Sequence, residues 1–181
     1  METNWELISN FTIAMLAVVN PVEKIPLWVE ASKGSRFRFQ WLLASLVVLS
    51  CACVLLVFLW FGRQLLLELK IDLASFKIGG GLILLQFGFS MMKGTAVDFE
   101  PEPEDVSLSM KRRVLRRYQQ IFIPIGVPVI AGPGAITTAI IYGYQSQSPL
   151  TLMLLSIAVL GVLALLLLIL LTGPLIQKAV G

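Results

Sequence analysis

The chain has no histidine. That removes the commonest general base and one of the commonest metal ligands. Charge is scarce as well: 14% of residues are Asp, Glu, Lys or Arg, against about 25% in an ordinary soluble domain. Its two cysteines, Cys51 and Cys53, lie two positions apart in an apolar run. Such positions point to different faces of a helix, so they read as small apolar packing residues and not as a disulfide or metal pair. No Lys or Arg precedes Lys24. A secretory signal begins with a positive segment, so the first apolar block reads as a retained helix. Asn10-Phe11-Thr12 fits a glycosylation pattern but falls at the membrane boundary and is discounted.

Hydrophobic residues make up 57% of the chain and mean hydropathy is +0.85. The excess is concentrated in blocks of about 20 residues, the length that crosses a hydrocarbon core. Five spans follow, at residues 7–29, 41–61, 74–92, 121–142 and 150–171. The predicted class is all-α: a polytopic transmembrane bundle forming one integral membrane domain over residues 1–181. Lys and Arg in the short loops set orientation. Alternate sides carry ten and three of them, which places the N-terminus outside and loop 93–120 in the cytoplasm. That loop has an acidic, proline-rich part, "DFEPEPEDVS", which reads as a connector. The basic part, "MKRRVLRRYQQ", reads as a topology determinant lying on anionic lipid. Nothing here resembles a nucleic-acid module.

Two spans carry residues that break helices. The first holds "VVNPVEKIPLW", with Asn20-Pro21 and then Pro26. The fourth holds "IPIGVPVIAGPGAITT", with Pro124, Pro128 and Gly132-Pro133-Gly134. Proline removes an N–H and clashes with the carbonyl four residues back. In hydrocarbon a broken backbone is tolerated only where it is buried in protein or lines a cavity. Each break belongs to the first helix of a group of three. Three is odd, so a repeated unit is inverted, and paired breaks in inverted halves mark a transporter's midplane site. Half-helices starting at Pro21 and Pro133 would turn their N-termini toward an anionic or zwitterionic group. Asn20, Thr137 and Thr138 could add side-chain hydrogen bonds, although a threonine can equally bond back to its own helix. Glu23 is the candidate proton or cation carrier of the first break, and Lys24 is expected to snorkel. Ala131, Ala135, Ala139 and Gly143 form a small-residue stripe for helix packing. Gly79, Gly80 and Gly81 read as packing or as a lining, with Gln86 inside the same span.

"NPVEKIPLW", "FKIGGGLILLQFGFSMMKG" and "IPIGVPVIAGPGAITT" together resemble the MarC family, also called UPF0056 membrane proteins, over nearly the whole chain. The resemblance implies a bacterial inner-membrane protein of six helices, similar in architecture to LysE-type exporters of small metabolites. Some relatives are described as neutral amino acid transporters. The positions that match the family's motifs are Asn20, Pro21, Pro26, Gly80, Gly81, Gly132, Pro133, Gly134 and Thr137. Glu23 and Lys24 depart from the smaller uncharged residues usual between Asn-Pro and Ile-Pro. The chain stops at "TGPLIQKAVG", where the family would continue into a sixth helix, so five of an expected six spans are present.

The reading that results is a transporter exporting a small polar metabolite such as an amino acid. Its expected binding residues are Asn20, Pro21, Glu23, Pro26, Gly80, Gly81, Gln86, Gly132, Pro133, Gly134, Thr137 and Thr138. No catalytic residue, metal or cofactor is expected. Membrane lipid and the small substrate are the expected partners, and a homo-oligomer is left open. The rival is a non-transporting scaffold or a truncated family member. An enzyme is disfavoured by the lack of histidine, of an HExxH motif and of paired aspartates within spans. A pore is the other use of polar broken helices.

Overall fold

The computed structural model describes residues 5–32, 35–92, 110–121, 130–146 and 148–180. Among the described residues the protein is 89% helical and has no strand. Its helices are α1 (Trp5–Val19), α2 (Lys24–Ser32), α3 (Phe37–Glu68), α4 (Leu73–Met92), α5 (Met110–Ile121), α6 (Pro133–Gln145) and α7 (Pro149–Val180). Among the described residues, α3 and the Pro149–Thr172 part of α7 are long and apolar enough to cross a membrane. The expected first span is two helices, α1 and α2. The described helix of the expected fourth span is α6, and residues 122–129 of that span lie outside the described residues. Span limits at 41–61 and 150–171 fall inside α3 and α7, which run past them at one or both ends.

α3 is the central element. It packs along α6 and α7, while α1 lies against α6 and α7. Apolar side chains recur every three or four residues, and that spacing makes one continuous stripe on a helix. Phe11, Met15 and Val19 form the buried stripe of α1. Leu43, Val47, Cys51, Leu55, Leu59 and Leu66 form that of α3. Leu155, Val159, Val162, Leu166 and Leu170 form that of α7. Outside these stripes, large apolar side chains such as Leu49, Ile157 and Leu168 are exposed, as lipid-facing positions are. Cys51 is buried and Cys53 exposed, as their spacing predicts.

The α3–α6 contact depends on glycine. A Cβ placed on Gly143 would sit 2.2 Å from the Leu59 carbonyl oxygen, and one on Gly62 would sit 2.6 Å from Ile140 Cγ1. With Ala135 and Ala139 also buried, the stripe packs as expected. The α4 glycines do not: Gly79 and Gly81 have nothing within 4 Å of where a Cβ would stand. Along α4 the side chains of Ile78, Leu82, Leu85 and Phe89 are exposed. No helix of this chain closes over that face among the described residues.

Local chemistry ends the helices. α3 closes in a Schellman arrangement, with Lys70 at φ 54° and Ile71 N–H bonded to the Leu66 carbonyl at 2.9 Å. Asp72 then caps α4, accepting the Ala74 and Ser75 amides at 2.9 and 3.0 Å and the Ser75 hydroxyl through its other oxygen. These bonds, the Ser75 hydroxyl foremost, hold the Asp72 carboxyl below the usual carboxylate range. A depressed carboxylate stabilises the fold above its unfolded value, about 3.9, and that contribution is lost as pH falls through the lower folded value. The thermal midpoint of Asp72→Ala in detergent is therefore expected to lie below wild type near neutral pH. The gap should narrow once pH drops below about 4; a gap that stays constant on acidification excludes the charged cap.

Candidate functional site

The first break is built by Asn20. Its backbone is left-handed, with φ 40°, a region that asparagine enters more readily than most residues. Its N–H still reaches the Leu16 carbonyl, at 2.9 Å. The next residue, Pro21, has no N–H to continue the ladder. A short turn follows, in which Lys24 N–H bonds Pro21 O at 3.3 Å and Ile25 N–H bonds Val22 O at 3.1 Å. The second half-helix therefore starts at Lys24, three residues after the Pro21 start read from the sequence. Pro21 is a buried turn residue, and Pro26 is exposed in the first turn of α2, where a missing N–H costs nothing.

The polar groups of this turn hold one another. Asn20 Nδ2 donates to Glu23 Oε2 at 3.0 Å, and Lys24 Nζ approaches the same oxygen at 3.4 Å. Lys24 does not snorkel: its side chain is 3% exposed, against 37% for Glu23. A buried ammonium needs a counter-charge, and Glu23 supplies it from the adjacent position. One turn on, Trp28 is also buried, and its indole N–H has no hydrogen-bond partner among the described residues. Sequence reading missed Trp28. The available signal was its spacing of four from Lys24, which puts the two on one face.

The second break is local sterics made visible. Gly132 is the extended N-cap of α6, with ψ 176°, and Pro133 is its first residue, as preferred at a helix start. Ile136 N–H closes the first turn on Gly132 O at 3.0 Å. Glycine offers no side-chain cap, which leaves the Gly134 and Ala135 amides as the terminal donors. Gly134, Thr137 and Thr138 are buried. Thr138 bonds back to its own helix, Oγ1 to Gly134 O at 2.8 Å, so its hydroxyl proton is committed there. Just before the break, the Ala131 backbone lies against Cys51 of α3.

α3 serves as a ruler for depth. Cys51, near its middle, touches Ala131; further along, Arg63 stacks on the Tyr144 ring at 5.1 Å. The two helices thus run in the same direction. Phe11 of α1 meets the Tyr142 ring at 5.1 Å, while Ser32, at the other end of that broken span, accepts from Gln40 near the start of α3 at 3.3 Å. α1 therefore runs opposite to α6. Nine residues separate Phe11 from Asn20, and nine separate Pro133 from Tyr142. At 1.5 Å per residue each break lies about 13 Å below the aromatic pair. The two breaks share one level, near the middle of α3, on helices that touch. Gly80, Gly81 and Gln86 are carried by α4, which packs on α6. Gly81 and Gln86 are exposed there.

The family model described as MarC family integral membrane protein matches residues 5–181. The chain belongs to the MarC family. It is 27% identical over 150 residues to a UPF0056 membrane protein of Buchnera aphidicola subsp. Acyrthosiphon pisum, covering 82% of this chain and 67% of that one. It is 28% identical over 157 residues to one of Pyrococcus horikoshii, covering 85% and 73%. Against YhcE of Escherichia coli it is 28% identical over 138 residues, covering 76% of this chain and 62% of that one. No solved structure matches the chain. As a MarC family member the protein resides in a membrane, and the family description names no enzymatic activity.

Proposed function

We propose that this MarC family protein is a secondary transporter that exports a small polar metabolite, such as an amino acid, across the bacterial inner membrane. The observation that carries the reading is the shared level of the Asn20 and Pro133 breaks on two touching helices of opposite direction. Paired interrupted helices at mid-depth are how inverted-repeat transporters make a site. In this reading the chain is one membrane domain of five spans, with an inverted repeat and the N-terminus outside. The terminal amides of α6 take the substrate's carboxylate. Asn20 and Glu23 present polar atoms from the facing break, and a zwitterion's ammonium is drawn to Glu23. Pro21, Pro26, Gly132, Gly134 and Thr137 shape the backbone around it, and Gly80, Gly81 and Gln86 line the approach from α4. Thr138 contributes through its helix-bending back-bond. No step requires a cofactor or catalytic group.

The exposed face of α4 favours one rival, a scaffold that assembles with another membrane protein. Proteoliposomes loaded with labelled amino acids separate the two. Transport requires efflux above protein-free vesicles for at least one of them, lost in Pro133→Ala at unchanged abundance. Absence of flux for every amino acid, with a stable hetero-complex on purification, would sink the transporter reading.

A further inference from the structure

Two basic clusters far apart in the sequence meet at one end of the bundle. Arg36 and Arg38 flank the start of α3 and are exposed. α5 docks beside them. Val114 and Arg117 are buried, Arg113 sits over the Phe39 ring at 5.8 Å, and Tyr118 Oη lies 2.6 Å from Ser50 Oγ. The basic helix is therefore clamped to α3. Clamping leaves the opposite face outward: Lys111, Arg112, Leu115 and Arg116 are all exposed.

Arg112 and Arg116 are four residues apart, a spacing at which like charges repel on a helix. Among the described residues neither they nor Lys111 is in an ion pair. A held array of like charge calls for an anionic counter-surface. Leu115, 53% exposed, lies among these charges, a pattern that suits the boundary between headgroups and acyl chains. Trp41, one turn into α3 and 48% exposed, marks the same boundary. We infer that Arg36, Arg38 and the outward face of α5 form a docking surface for the headgroups of anionic phospholipid in the leaflet at this end of α3.

The test uses the full chain reconstituted in phosphatidylcholine vesicles carrying trace spin-labelled phosphatidylglycerol or spin-labelled phosphatidylcholine. The motionally restricted fraction reports which lipid the protein holds. Wild type is expected to select phosphatidylglycerol several-fold, with selection falling as salt is raised. The triple variant Lys111→Gln, Arg112→Gln, Arg116→Gln should approach parity, and Arg36→Gln with Arg38→Gln should lose part of the selection. All five side chains are exposed, so folding is retained, checked by an unchanged thermal midpoint. Equal selection in wild type and the triple variant overturns the assignment. Parity in wild type overturns it too; if phosphatidylglycerol selection then arises on neutralising Asp98, Glu100, Glu102, Glu104 and Asp105, the chain's own acidic segment is the counter-charge.

Discussion

Gly143→Ala is expected to cost about 1–3 kcal/mol, as overpacking at a rigid contact does. The added Cβ would stand 2.2 Å from the Leu59 carbonyl oxygen. A backbone atom on the central helix cannot rotate away as a side-chain tip can. α6 must move off α3, taking the break at Pro133 with it. Gly161→Ala is the matched control. It also lies within a helix, but nothing stands within 4 Å of its new Cβ. There the helix propensity of alanine should raise stability by up to about 1 kcal/mol. Gly62→Ala falls between them, since Ile140 is a side chain, although a branched and buried one. Denaturant or thermal unfolding in detergent reads all three. If Gly143→Ala and Gly161→Ala shift the midpoint alike, the close approach of α3 and α6 does not set stability.

The second large effect is expected at Asn20, where two roles are joined in one residue. Its backbone is left-handed at φ 40°, and its amide tethers Glu23 at 3.0 Å. Asn20→Ala loses both, with a backbone penalty of roughly 1–2 kcal/mol. Asn20→Gly restores the backbone freedom and loses only the tether, a hydrogen bond to a charged group worth about 1.5–3 kcal/mol. Under the transporter reading, flux falls by roughly tenfold or more in both variants, the factor that energy corresponds to. Abundance should fall chiefly in Asn20→Ala. Wild-type flux in Asn20→Gly would remove the side chain from the site and leave Asn20 as a helix terminator.

These variants also show which features are legible without coordinates. The Pro133 start is a matter of sterics between neighbours, so "GPG" alone predicts it. Asn20-Pro21 ends α1 for the same reason. The start of α2 was misplaced by three residues because the left-handed turn at Asn20 must be spanned before a helix can restart. Thr138 offered two partners, and burial beside its own helix chose the Gly134 carbonyl. Lys24 has a chain long enough to reach the interface; packing instead buries it, with Glu23 as counter-charge.

By itself, then, the sequence determined what depends on composition and on near neighbours: an all-helical membrane protein, the two breaks, the capping chemistry and the buried stripes. Its motifs also determined the MarC family. Only the tertiary structure decided what depends on residues far apart in the chain. It placed Ala131 on Cys51 and Phe11 on Tyr142, bringing the breaks to one level. It brought Gly143 onto the Leu59 backbone, clamped α5 to α3, and left Gly79 and Gly81 of α4 uncovered among the described residues. The reason is physical: helix starts and stops are set within a turn, whereas depth and contact arise only when separate helices share one packed core.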